Sequence, residues 1–461
     1  MFQRAPERLC MLFAWSLGLW AQTPDKPPVI RVDVRQVLVP VVVTDDKGHH
    51  VTSLKASDFR IFEDGTPQEI AAFFTDTSPL VDTPAAPRER TPAPSVEPAS
   101  TAAPRATASP GGDAGRTFVI CVDALHSASA SSARTRQALI HLFEQEKSAG
   151  ARYVLLAIGR QLQVLQTATP DPAVILSKLR NPALALALSG GDAAALRSQL
   201  DDLKNRMFDF CRSCDCNSPV ACNLQAQNLK SSLDGQAEPW GVLREQFLGQ
   251  MKSVVEELAK LPGGRTLILV SDGFSLQPAR EFYAVAASFL PKDQRFRLAG
   301  PTDLEPRLEA VIREAVKRNV RIDSVNSAGL AQSSLSASGS MDASTPSDRS
   351  APSVISRRVP SSSRGGTLQT EMDRHAASVV FQNGSGLAEL AQSTGGLYFH
   401  DSNDLLRQFR TALADGREYY ILAYAAPNAA LDGKFRRITV EVKYKRLHVR
   451  AKSGYWAEAQ N

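Results

Sequence analysis

The chain has 461 residues, of which 53 are Lys or Arg and 48 are Asp or Glu; the formal net charge is +5, with 43% hydrophobic and 22% charged residues. That length exceeds what a single hydrophobic core fills, so more than one folded unit, joined by linkers, is expected. The composition suits a soluble globular protein, and the small basic excess, with no dense Lys/Arg block, removes the case for nucleic acid.

The N-terminus comes first. Arg4 and Arg8 flank a short polar start, an apolar run from Leu9 to Trp20 follows, and Ala21 ends it. A charged start, a short apolar stretch and a small residue read as a secretory signal peptide over 1–21. A buried N-terminal helix is the alternative. The run is too short to cross a bilayer, and Cys10 lies inside it, not where a lipid-attachment motif would place a cysteine. With no second long apolar stretch, the mature chain is expected to be soluble, secreted or periplasmic, and without a membrane span.

Residues 29–78 read as strands. Val37–Val43 is rich in β-branched residues, Asp45-Asp46-Lys47-Gly48 is a turn, Asp58–Phe62 alternates polar and apolar, and Glu63-Asp64-Gly65 turns again. So short a segment cannot close a core alone, and a partner sheet is expected. Residues 79–115, rich in Pro, Ala, Ser and Thr, read as a disordered linker. From 116 the pattern becomes strand–helix alternation. Thr117–Val122, Tyr153–Ile158 and Thr266–Val270 are short continuous apolar runs, as in strands buried on both faces. Helices are expected over 133–147, within 172–261 and near 305–318, before a strand over 320–325. This predicts a doubly wound, mostly parallel α/β sheet within 116–416. The Ser/Ala/Gly/Pro-rich stretch 327–383 reads as a disordered insert. Short helices at 387–393 and 403–414 flank Gly395–Phe399. Residues 417–458 return to strands, and these can pair with the N-terminal strands into a β-sandwich that flanks the α/β unit or holds it as an insertion.

Three stretches carry a resemblance. They are Val39–Asp45 with Gly48, Asp58-Phe59, Glu63-Asp64-Gly65 and Gln68-Glu69-Ile70; the strand ending in Asp123 with Val270-Ser271-Asp272-Gly273; and Thr394-Gly395-Gly396, Asn403-Asp404-Leu405, Tyr419-Tyr420 and Gly433–Arg436. Together they resemble the VWFA-related domain family first described from acidobacteria, which implies a von Willebrand factor A-type (vWA), Rossmann-like sheet. The vWA resemblance implies one divalent ion at the C-terminal edge of that sheet, where open α/β sheets bind ligands. Oxygen ligands would come from a DxSxS motif, a later Thr and an Asp after the fourth strand, a donor set suited to Mg²⁺, with Mn²⁺ or Ca²⁺ as substitutes. Here the motif reads Asp123-Ala124-Leu125-His126-Ser127, so Asp123 and Ser127 match while Leu125 removes one hydroxyl. Thr169 is the candidate threonine, Thr167 the fallback, and Asp272 the last ligand; a water or Ser129 could fill the gap left by Leu125. An unidentified protein partner would supply an acidic contact. Against this, an Asp ending a buried strand commonly caps the next turn or helix, and His126 reads as an exposed loop residue.

Cys211, Cys214, Cys216 and Cys222 form C-x₂-C-x-C-x₅-C. Zinc would suit this spacing in a cytosolic chain; after export, two local disulfides of undetermined pairing are favoured. Cys121 reads as a small core residue. The chain lacks a Gly-x-Ser-x-Gly elbow, a P-loop and His-Glu-x-x-His. The expectation is therefore a non-enzymatic protein that mediates adhesion or protein–protein binding through the upper edge of the vWA sheet, by way of the divalent ion. A metal-free scaffold is the first alternative, and a hydrolase using Ser271 or Ser127 is the second.

Overall fold

The computed structural model describes residues 36–75, 115–147, 150–188, 191–213, 219–277, 283, 303–330, 384–427 and 430–458. The expected signal peptide, nearly all of the expected linker and the insert from 331 onward lie outside these residues. So do Cys214 and Cys216 and the side chains of Cys211 and Cys222, and with them the disulfide and zinc readings.

The strands are β1 (Gln36–Asp45), β2 (Phe59–Glu63), β3 (Thr66–Gln68), β4 (Ile70–Thr75), β5 (Arg116–Asp123), β6 (Ala151–Ile158), β7 (Leu162–Thr169), β8 (Arg265–Ser271), β9 (Arg321–Asn326), β10 (Tyr398–Phe399), β11 (Tyr420–Ala425), β12 (Phe435–Val442), β13 (Leu447–Ala451) and β14 (Gly454–Trp456). The helices are α1 (Ser129–Gln145), α2 (Pro172–Arg180), α3 (Pro182–Ala187), α4 (Gly191–Ser213), α5 (Pro219–Leu258), α6 (Glu305–Lys317), α7 (384–394) and α8 (Leu405–Asp415).

Six strands form one sheet in the order β10-β9-β8-β5-β6-β7. Every neighbouring pair is parallel except β6 and β7, which form an antiparallel hairpin. Counted from β5, this is the 3-2-1-4-5-6 order of doubly wound sheets. Successive side chains alternate between the faces. Phe118, Ile120 and Val122 of β5, with Tyr153, Leu155, Ile268 and Val270, pack under α1, α2 and α8 through Leu139, Phe143, Ile175, Leu179, Phe409 and Leu413. Val119 and Cys121, with Leu156, Leu267 and Leu269, pack under α5, α6 and α7 through Phe247, Met251, Val255, Leu308, Ile312 and Leu390. Burial on both faces is why these strands read as unbroken apolar runs. Cys121 is fully buried, and desolvation pushes its thiol far above the usual range, as expected of a core residue.

The remaining strands form two four-stranded antiparallel sheets, β13-β1-β11-β4 and β14-β12-β2-β3. Each combines strands from both ends of the chain: β1 pairs with β11 and β13, and β2 pairs with β12. Val37, Val39, Val41, Tyr420, Leu422 and Tyr424 of the first sheet share a core with Phe59, Ile61, Ile438 and Tyr455 of the second. The Phe59 and Tyr420 rings meet edge to face at 5.1 Å. Inside this core the buried Glu63 accepts hydrogen bonds from Tyr424 (2.6 Å) and Tyr455 (3.1 Å). Pro40 is tolerated in β1 because β13 pairs only from Val41 onward, leaving Pro40 a partner on one side, Ile421.

A buried ionic hub ties this β layer to the six-stranded sheet. Asp415, at the end of α8, meets His50 Nε2 at 2.6 Å and Arg450 Nη1 at 2.5 Å. Its backbone carbonyl accepts from Arg321 of β9 (2.6 Å), whose other nitrogen donates to Asp323 (2.7 Å). Burial pushes the Asp323 carboxyl up, against the pull of Arg321.

Candidate functional site

The loops leaving β5 and β8 meet at the C-terminal edge of the sheet. β5 leads into α1 on one face, and α6, which precedes β9, lies on the other. The two strands are neighbours, so this is the place where the winding reverses and where open α/β sheets bind ligands. Asp123, Ser127 and Asp272 all lie here, and hydrogen bonds link them into one network.

Asp123 ends β5 and has no solvent exposure. Its Oδ1 accepts from the backbone N–H groups of Leu125 and His126, each at 3.0 Å. Its Oδ2 accepts from the Ser271 hydroxyl at 2.6 Å and pairs with His126 Nδ1 at 2.8 Å. Ser271 Oγ in turn accepts from the Gly273 N–H at 2.9 Å. Asp272 Oδ2 accepts from the Ala128 N–H at 2.8 Å, and Oδ1 from the Ser327 hydroxyl at 2.7 Å. Ser127 is buried, and its Oγ accepts from the Asp272 N–H at 3.3 Å. Ala128 is the N-cap of α1 and has no side chain with which to cap it. Asp272 supplies a carboxylate from another loop to that electropositive helix start. Arg134 closes the same corner by donating to Ser131 Oγ and to the Ser327 and Ala328 carbonyls.

Thr169 is not part of this group. It closes β7, where it lies opposite Tyr153 near the start of β6, and Tyr153 is in register with Phe118 of β5. Phe118 precedes Asp123 by five positions, about 16 Å along a strand. Thr169 therefore sits at the opposite edge of the sheet, where its Oγ1 accepts from Asp171, the residue that caps α2. The fallback Thr167 is exposed on the same strand, two residues before Thr169. The reason is the hairpin at 159–161: by reversing the chain, it carries everything after Leu162 away from the upper edge. The alternation Leu162-Gln163-Val164 was the sequence signal for that edge strand.

Leu125 is 1% exposed and belongs to the apolar core. His126 is not the expected exposed loop residue. Its side chain is 8% exposed, with the ring edge-on to Phe247 at 4.9 Å and tilted on Phe274 at 5.7 Å. Its Nε2 has no partner among the described residues.

These residues fit a bound divalent ion poorly. Six internal donors occupy the four carboxylate oxygens of Asp123 and Asp272. The position of the missing serine is filled by a core leucine, and the candidate threonine is at the far edge. Among the described residues, no three His, Cys, Asp or Glu side chains are grouped to hold a metal. Of the two candidate nucleophiles, Ser271 donates its hydroxyl to Asp123 and Ser127 accepts from the Asp272 N–H, while His126 bonds to Asp123 and to neither serine.

No family model matches the chain, and no curated protein matches it. Among solved structures, the chain is similar to an aerotolerance-related membrane protein from Bacteroides fragilis NCTC 9343 with multiple mutations to serines. The identity is 9% over 65% of this chain and 99% of that one, with a TM-score of 0.29. It is also similar to the conserved hypothetical protein BatB from Bacteroides thetaiotaomicron, at 9% identity over 66% of this chain and 98% of that one, with a TM-score of 0.23.

Proposed function

We propose that this chain is a non-enzymatic protein-binding module of vWA type, exported from the cytoplasm, that engages its partner through the upper edge of the six-stranded sheet. One observation supports this most: Asp123, Ser127 and Asp272 converge where the winding reverses, and their hydrogen bonds hold three loops in fixed positions. Loops fixed by internal hydrogen bonds present a surface at little ordering cost on binding. The carboxylates serve as its internal staples, which favours a metal-free contact. No described helix is long and apolar enough to cross a membrane.

In the second reading a Mg²⁺ ion displaces the internal donors, and an acidic residue of the partner completes its shell; Asp123, Ser127 and Asp272 would hold it. Calorimetric titration of the full chain with Mg²⁺ and Mn²⁺, beside Asp123→Ala and Asp272→Ala, separates the two. The metal-free reading expects no saturable heat from the folded wild type. Saturable heat lost in both variants would replace it with the metal-dependent one. The binding reading itself is tested on the rim. Partners crosslinked to the wild type should be lost from Arg134→Ala/Leu330→Ala, which changes two exposed residues of this edge. Unchanged crosslinking would refute it.

A further inference from the structure

We propose that the end of the β-sandwich formed by the turns at 45–48 and 443–446 docks on an anionic lipid bilayer. β1 and β13 are antiparallel, with Thr44 opposite His448 and Asp45 opposite Leu447. The turn after β1 and the turn before β13 therefore emerge side by side. The second turn reads Lys443-Tyr444-Lys445-Arg446, all four residues exposed, and Lys47 is exposed on the first.

The two signs of charge at this end are used differently. Asp45 accepts from the Lys47 and His49 N–H groups and pairs with His49 Nδ1. Asp46 pairs with His448 at 3.1 Å. Asp58 accepts from the Lys55 N–H and faces Lys443 at 3.9 Å. Asp45 and Asp46 keep their charge on the first turn, but the second turn gathers three cations, of which only Lys443 faces a carboxylate; Lys47, Lys445 and Arg446 have no carboxylate partner among the described residues. Tyr444, 52% exposed, projects beside them. An aromatic body with a polar tip is the kind of side chain that settles at the headgroup level, and free cations beside it are what an anionic surface attracts. The turn is also held in place: Lys443 N–H donates to the Asp58 carbonyl at 3.0 Å and Leu447 N–H to that of Tyr444 at 3.2 Å. The cations are therefore presented without a large ordering cost.

The test is co-sedimentation of the full chain with vesicles of phosphatidylglycerol mixed into phosphatidylcholine, beside pure phosphatidylcholine. Sedimentation is expected with the anionic vesicles only and is lost at high salt as screening shortens the field. Lys445→Gln/Arg446→Gln should lower partition about 25-fold, roughly fivefold for each cation removed, and Tyr444→Ala should lower it further. Lys260→Gln, which removes an exposed cation outside these turns, should change nothing. All of these positions are exposed, so circular dichroism of the variants should match the wild type. Failure of the wild type to sediment, or equal sedimentation of the double variant, overturns the proposal. Capture by soluble polyglutamate without sedimentation would assign an acidic polypeptide and also overturn it.

Discussion

Replacing Asp415 by Asn removes one charge from the hub between the β layer and the six-stranded sheet while keeping the side-chain volume. Burial alone would raise this carboxyl. The hydrogen bonds from His50 and Arg450 and the charge of Arg321 outweigh burial and hold it at about 2, from an ordinary 3.8. A group whose folded value is depressed stabilises the protein above its unfolded value, and that stabilisation is lost as pH falls toward the folded value. The difference of about 1.8 units corresponds to about 2.4 kcal/mol, present above about pH 4 and gone near pH 2. At neutral pH, Asp415→Asn leaves Arg450 and His50 without their anion. Removing one partner of a buried pair costs about 3–5 kcal/mol; Arg450 is 22% exposed, which places the cost at the lower end, about 3 kcal/mol. Urea unfolding followed by tryptophan fluorescence from pH 7 to pH 2 reads this directly. The gap between wild type and variant should be about 3 kcal/mol at pH 7 and should close by about 2 kcal/mol between pH 5 and pH 2. A gap that stays constant across that range would show that Asp415 is not the ionised hub described here.

Further expectations follow from the same contacts. Leu125→Ser restores the hydroxyl of the DxSxS pattern but removes a core side chain; unfolding should show a loss of about 2–5 kcal/mol, and calorimetry no gain of Mg²⁺ binding. Thr169→Ala should leave partner crosslinking and metal titration unchanged, because Thr169 lies at the opposite edge; a loss of either would refute that placement. Tyr424→Phe leaves Glu63 short of one donor inside the sandwich core and should cost about 1–3 kcal/mol, read by urea midpoint. Gly396→Ala would place a Cβ 2.0 Å from the Ile322 carbonyl oxygen, against backbone that cannot move aside. Its yield of folded protein should collapse, whereas Gly235→Ala, with open space around the new atom, should fold normally.

Chemistry visible in local sequence fixed much of the architecture. The runs Thr117–Val122 and Thr266–Val270 lack any polar alternation, and only a strand covered on both faces has that requirement. They announced the parallel sheet and placed Asp123 and Asp272 at its C-terminal edge. The turn signals at Asp45–Gly48 and Glu63–Gly65 marked the N-terminal strands as too few to stand alone, and β11–β14 complete their sheets. No strand was expected at β7, and whether a strand there continues the sheet in parallel or doubles back depends on the hairpin at 159–161. That reversal alone moved Thr169 from the expected edge to the opposite one. Tertiary structure likewise decided the roles of the aspartates. His126 and Ala128 lie in the loop after β5, Ser271 ends β8 and Ser327 follows β9, and only their convergence shows that the donors for both carboxylates are internal. The burial of His126 was equally beyond a linear pattern, since α5 lays Phe247 edge-on against its ring. Local sequence thus determined which segments are strands and helices, because periodicity is a property of neighbours along the chain. Charge compensation depends on neighbours across space, and only the folded arrangement fixed it.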